Sequence, residues 1–261
     1  MDNESPLKAI IVVTATALVC SVLVTVAAVT LRPIQWAHQD LERNRHIVRI
    51  SGLMDPADEL SDWEIIAAFQ DLDARLVDLD RGAFDETFNP DTFDTRKAAG
   101  DPEFSVTIPA DQDVAGLKRR SRLMTVYLVR DGDDLHRIIL PVYGPGMWST
   151  IYGFLALESD LNTIAEMSFY EQEETAGIGD QILRPDWLAR WRGKRLYDEQ
   201  GVVRFRIAGG SVDPRSPDAA YQVDALTGAS VTAGGVTNLI RYWLGPHGFA
   251  NFLEKFSVAG G

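Results

Sequence analysis

Cysteine is nearly absent: the single thiol in 261 residues, Cys20, lies inside an apolar run. Intrachain disulfides, paired-cysteine metal sites and ligation of an iron–sulfur cluster by this chain alone are thereby excluded. Histidine is almost as sparse. His38, His46, His136 and His247 are scattered, with neither HxH nor HExxH spacing, so they read as surface or capping residues and no metal site is expected. The phosphate-cradling GxxxxGK[ST] loop, the dinucleotide GxGxxG turn and the GxSxG nucleophile elbow are all missing, and no internal repeat is present. Basic residues are outnumbered: 25 Lys and Arg face 38 Asp and Glu, for a net charge of −13 at pH 7. Such a surface repels phosphates, which argues against a nucleic-acid partner.

Charge is missing altogether from Ala9 to Leu31, a run of 23 residues rich in Val, Ala, Leu and Thr. As a helix it spans roughly 35 Å, enough to cross a bilayer with some tilt. It is longer than a signal-peptide core and lacks a clear cleavage box, so it reads as a membrane anchor. Lys8, with Asp2 and Glu4, precedes it, and Arg32, Arg43 and Arg45 follow; this charge distribution leaves the orientation open. Residues 1–31 carry a net −1 and the remaining 230 carry −12, so the acidic bulk is one large soluble part on one side of the membrane.

The expected organisation is a tail over 1–8, an anchor over 9–31, a juxtamembrane helical and loop region over 32–122, and a folded domain over 123–261. In the third of these, Ile47, Ile50 and Leu53 place a helix over 36–53. Ile65, Ile66, Phe69, Leu72 and Leu76 predict a second over 63–76, and the Gly-, Asp-, Thr- and Pro-rich stretch 82–103 reads as a long surface loop. From Leu123 strand patterns take over, with 123–129 and 135–142 joined through Asp131-Gly132-Asp133-Asp134 as a hairpin. Further strands are predicted at 150–157, 164–170, 203–207 and 221–226, and a short helix at 187–191. The mixture lacks a βαβ rhythm, so the fold class is α+β.

After Tyr221–Leu226 the chain turns through Thr227-Gly228-Ala229-Ser230, and a helix is expected to begin after Gly234-Gly235. Val236, Leu239, Ile240, Trp243 and Leu244 form its apolar stripe, and Gly245-Pro246 ends it. A last helix presents Phe249, Phe252, Leu253 and Phe256. Thr232 then stands just ahead of a helix, on a turn of small residues, where N–H groups and the helix dipole favour a phosphate. The same residues also fit an ordinary N-cap.

The order Asp224-x-x-Thr227-Gly228-Ala229-Ser230-x-Thr232 resembles Dxx(S/T)GA(S/T)xT, the flavinylation motif of the FMN-binding domain family, with six of nine positions specified. The likeness extends along the chain to the C subunits of sodium-translocating NADH:quinone reductases. The run 146–154, GMWSTIYGF, resembles their GLWSxMYGF segment; 156–163, ALESDLNT, resembles ALEPDLNT; and 169–179, FYEQEETAGIG, resembles FYEHGETPGLG. The tail from Asn238-Leu239-Ile240 through Gly248-Phe249 and Phe252-Leu253 follows the same family. Gln172, Glu173, Ala176 and Ile178 depart from it, and the loss of Pro and Gly is expected to loosen or reshape this loop.

The resemblance implies an electron-transfer subunit of a sodium-translocating NADH:ubiquinone reductase that relays single electrons through FMN, with no NADH site and no catalytic residue of its own. FMN would be held by a phosphoester to Thr232 and installed by a flavin transferase. Asp224 would position the acceptor turn or assist transfer, Thr227 and Ser230 would offer hydroxyls to the phosphate, and Gly228 and Ala229 complete the motif. Thr175, Gly177 and Ile178 match flavin-contacting positions, and Trp148 belongs either near the ring or in the core. The resemblance also implies a bacterial inner-membrane protein with one span, its FMN-binding domain on the periplasmic side, within a complex of other subunits. Two other readings share parts of this pattern: the flavinylated subunit of an ion-translocating ferredoxin:NAD oxidoreductase, and a flavin-free anchored binding or scaffold domain.

Overall fold

The computed structural model describes residues 6–54 and 59–258, so residues 1–5 of the expected tail lie outside them. The chain divides into two compact units, Met1–Arg43 and Asn44–Gly261.

The first helix, α1 (Pro6–Ser51), is continuous. The two helices expected over 9–31 and 36–53 are one, because the helix runs on through Pro33. Proline costs one backbone hydrogen bond, a loss that long apolar helices tolerate. Its N-terminal stretch is long and apolar enough to cross a membrane, with none of its most apolar window buried. The final turn is different: Ile47, Val48, Ile50 and Ser51 are buried.

Helix α2 (Asp62–Gln70) begins where the Glu64 carboxylate accepts the Ser61 N–H at 2.9 Å, one arm of a capping box. It ends six residues before the predicted Leu76. Instead, strand β1 (Asp73–Asp78) pairs with two other strands and buries Leu76 and Val77. A helical spacing of Leu72 and Leu76 is also compatible with a strand over so short a run, and long-range pairing decides it. The stretch 82–103 is likewise more than loop: it holds β2 (Ala83–Asp85) and α3 (Thr95–Gly100), whose N–H groups at Arg96 and Lys97 are capped by Asp94. Strands β3 (Ser105–Thr107) and β4 (Arg119–Ser121) form a small separate pair.

Strands β5 (Leu123–Asp131), β6 (Asp134–Pro145), β7 (Thr150–Glu158) and β8 (Ile164–Glu171) follow as a meander, completing an antiparallel sheet in the order β2-β1-β5-β6-β7-β8. The expected hairpin forms, with Asp131 opposite Asp134 and Gly132 at φ +62° in the turn. A boundary at residue 123 cuts through this sheet: β1 lies directly against β5, so the region before 123 supplies two strands of the folded domain.

Side chains alternate along each strand, and both faces are covered. Val126 and Leu128 of β5, Ile138 and Leu140 of β6, and Leu155 and Leu157 of β7 join the core shared with the C-terminal helices. Tyr127, Val129, Ile139, Phe154 and Ala156 point to the other face, where Ile47, Ile50 and Leu72 cover them. After β8 come the short helix α4 (Pro185–Leu188), a 3-10 turn over Ala189–Trp191, and two parallel two-residue strands, β9 (Arg206–Ile207) and β10 (Gln222–Val223). The strands expected at 203–207 and 221–226 shrink to these pairs, although Phe205 and Ile207 are buried as alternation requires.

Helix α5 (Ser230–Trp243) begins four residues before Gly234 and passes through both glycines. Helix α6 (Ala250–Val258) buries Phe252, Leu253 and Phe256, as expected. Gly235 is where α5 meets the sheet: a β-carbon there would lie 2.6 Å from the Pro145 carbonyl oxygen. Gly235→Ala gains about 0.5–1 kcal/mol of helix preference but forces backbone apart, a cost of about 1–3 kcal/mol for overpacking. Net destabilisation is therefore expected in urea unfolding; a raised midpoint would show that α5 does not sit this close to β6.

Candidate functional site

Three segments meet around Thr232: the β6–β7 turn at 146–149, the loop 172–179 after β8, and the 227–232 turn into α5. Gly228 takes φ +79° in the last of these, a conformation suited to glycine. Ala229 is the N-cap of α5 and has no side-chain acceptor, so the first-turn N–H groups carry no capping side chain. Thr232 is the third helical residue rather than a residue ahead of the helix, and it is only 2% exposed.

Its hydroxyl donates to Oε2 of Glu174, a carboxylate that is itself 8% exposed. Oε1 of Glu174 accepts the N–H groups of Met147 at 2.8 Å and Trp148 at 3.3 Å. Two glycines make room for this carboxylate. A β-carbon on Gly146 would lie 2.3 Å from Oε1, and one on Gly179 would lie 2.8 Å from Oε2 and 2.9 Å from the Thr232 hydroxyl oxygen. Loop 172–179 therefore fills the space beside Thr232, because Glu174 folds inward over it.

Hydrogen bonds hold that loop against its neighbours. The Gln172 side-chain oxygen accepts the Glu174 N–H, and Ser149 Oγ accepts the Glu173 N–H at 3.0 Å. The Thr175 carbonyl accepts from Ile178 at 3.1 Å and Gly179 at 2.9 Å, with Gly177 at φ +75° between them. Gln181 links the loop to the motif, its amide donating to the Gly177 carbonyl at 3.3 Å and the Thr227 carbonyl at 3.1 Å.

Trp148 is not in the core: it is 66% exposed, and its indole N–H donates to Thr175 Oγ1 at 2.9 Å. Met147, Ile178 and Val231 are exposed too, one or more from each segment. Thr227 and Ser230 are exposed on the turn. Asp224 stands apart from the hydroxyl chemistry. One of its oxygens pairs with Arg190 and the other accepts the Val212 N–H at 2.6 Å, while its carbonyl accepts the Trp187 indole N–H at 2.9 Å. It fastens the 208–213 loop to the strand entering the turn, a positioning role.

These residues fit a flavin phosphate. Uncapped N–H groups at a helix start favour an anion, the adjacent hydroxyl can esterify, and exposed apolar side chains around it suit an aromatic ring. Among the described residues no cluster of His, Cys, Asp or Glu could hold a metal ion. Sequence reasoning brought together Thr232, the motif and loop 172–178, but missed Glu174, Gly179, Gln181 and Arg190. The signal for Glu174 was present: it matches the family loop while its neighbours Gln172 and Glu173 depart from it.

Residues 146–245 match the FMN-binding domain family. The chain is 46% identical over 255 residues to the C subunit of the Na(+)-translocating NADH-quinone reductase of Pseudomonas aeruginosa, covering 97% of both chains. It is 40% identical to the C subunit of the same reductase from Yersinia pestis, covering 97% of this chain and 94% of that one. The crystal structure of Shewanella oneidensis NqrC superposes with a TM-score of 0.75 at 34% identity, spanning 84% of this chain and 98% of that one.

Proposed function

The chain belongs to the family of Na(+)-translocating NADH-quinone reductase C subunits, and we propose that it carries FMN as a phosphoester on Thr232. It is an electron-transfer subunit of that oxidoreductase. Membership at this identity over nearly the whole chain displaces the ferredoxin:NAD oxidoreductase reading. FMN, when bound, supplies one-electron relay chemistry.

The observation that carries the attachment reading is the ordered motif 224–232 folded as an uncapped helix start, with Thr232 in its first turn. The N–H groups of that turn would hold the phosphate, and the α5 dipole would favour its charge. Trp148, Ile178 and Val231 offer apolar surface to the ring, with Thr175 fixing the indole of Trp148. Gln181 holds the 177 and 227 turns together so that both edges of this surface keep their spacing. Asp224, tied to Arg190, steadies the entry to the turn.

The apolar part of α1 anchors the protein in the bacterial inner membrane, and the domain lies on the periplasmic side beside the other subunits of the complex. A covalent tether suits that location, since it holds the cofactor where free FMN is scarce. A flavin transferase is the maturation partner. The test is intact mass and peptide mapping of the full chain co-expressed with a flavin transferase. An FMN adduct on the peptide containing Thr232 is expected; an unmodified chain overturns the reading.

A further inference from the structure

Glu174 is a buried acid with no ion pair among the described residues, an uncommon placement for a carboxylate. Its surroundings are built for a carboxylate. Gly146 and Gly179 leave the space on its two sides, since a methyl group at either would collide with its oxygens. Two backbone N–H groups of the 146–149 turn grip Oε1, which leaves Oε2 to the hydroxyl of Thr232, its single partner among the described residues.

We propose that Glu174 is the proton acceptor in the flavinylation of Thr232, so that the acceptor protein supplies its own general base. The inference rests on the attachment proposed above. In the step, Thr232 Oγ1 attacks the FMN phosphorus of a flavin dinucleotide. The Oγ1–P bond forms as the P–O bond to the nucleoside monophosphate breaks, and the leaving phosphate takes that bond's electron pair. The hydroxyl proton passes to Oε2 of Glu174, already hydrogen-bonded to it. Nothing is oxidised or reduced.

A threonine hydroxyl is a weak nucleophile until a base takes its proton, and a base positioned within hydrogen-bond reach contributes about 10²–10⁴-fold. The 146–149 turn fixes Oε1 of Glu174, so that Oε2 stays aimed at the Thr232 hydroxyl.

The test is the single-turnover rate of adduct formation on the full chain, followed by intact mass at saturating transferase and FAD. Glu174→Gln keeps the size and a hydrogen-bonding oxygen but cannot take the proton. Its maximal rate is expected to fall at least ~100-fold with little change in the transferase concentration at half-saturation. A fall under about threefold, against the ~100-fold a base supplies, overturns the inference. Circular dichroism establishes that the variant is folded. The second variant, Glu174→Ala, adds an independent readout: formate should restore much of its rate and chloride should not, whereas equal responses to both salts overturn the inference. Absence of an adduct on the wild-type chain would instead remove the attachment reading itself.

Discussion

Thr232→Ala is expected to abolish the covalent flavin, leaving a band that shows no flavin fluorescence after denaturing electrophoresis of protein co-expressed with a transferase. Thr232→Ser should keep the adduct. The reason is positional. The exposed hydroxyls of Thr227 and Ser230 lie on the same turn, yet only Thr232 has its hydroxyl fixed against Glu174 within the first turn of α5. The substitution also leaves Oε2 of Glu174 without its donor in a buried setting, a cost of about 1–3 kcal/mol. A folded variant is therefore expected, with a lower melting temperature. An adduct that persists in Thr232→Ala, on Ser230 or elsewhere, would show that the acceptor had been misassigned.

The second large effect concerns stability. Trp243 is fully buried, with its ring centroid 4.7 Å from that of Tyr143 and 5.7 Å from that of Phe249. Its indole N–H donates to the Tyr143 carbonyl at 2.6 Å, fastening the end of α5 to β6. Trp243→Ala removes the largest side chain at this junction together with the donor to the Tyr143 carbonyl, for a loss of about 3–5 kcal/mol. In a domain of this size each kcal/mol moves the melting temperature about 2–4 °C, so a fall on the order of 10 °C is expected by calorimetry. Trp243→Phe should lose less, because most of the packing remains. A melting temperature for the alanine variant within about 3 °C of wild type would mean that α5 is not held by this residue.

The meander from β5 to β8 was legible because its strands are compact apolar runs and Gly132 marks a tight turn between two of them. Helix α6 was legible for the same kind of reason, since Phe252, Leu253 and Phe256 form one stripe. Strand β1 was not, because Leu72 and Leu76 satisfy a helical period, while the partner of Leu76 on β5 is Thr125, far along the chain. The start of α5 was also hidden. Gly234 and Gly235 suggest a break, but Gly235 is required inside the helix by the close approach of Pro145.

At the site, the motif disclosed Thr232 and the surrounding turn, and the family loop disclosed Thr175, Gly177 and Ile178. It could not disclose that Glu174 turns inward, since that depends on space left by glycines at 146 and 179. Nor could it show that Arg190 and Val212 are the partners through which Asp224 is held.

The contacts of Glu174 reach 27 residues back to Met147 and 58 residues forward to Thr232. Contacts of such separation require loops to close before they are rewarded. The meander and the C-terminal helix must both be in place before the hydroxyl and carboxylate meet. An unfolded or newly made chain carries the nine-residue motif but none of this geometry. On the proposed mechanism, maturation waits for the completion of tertiary structure, and the flavin records that the chain bearing it had folded.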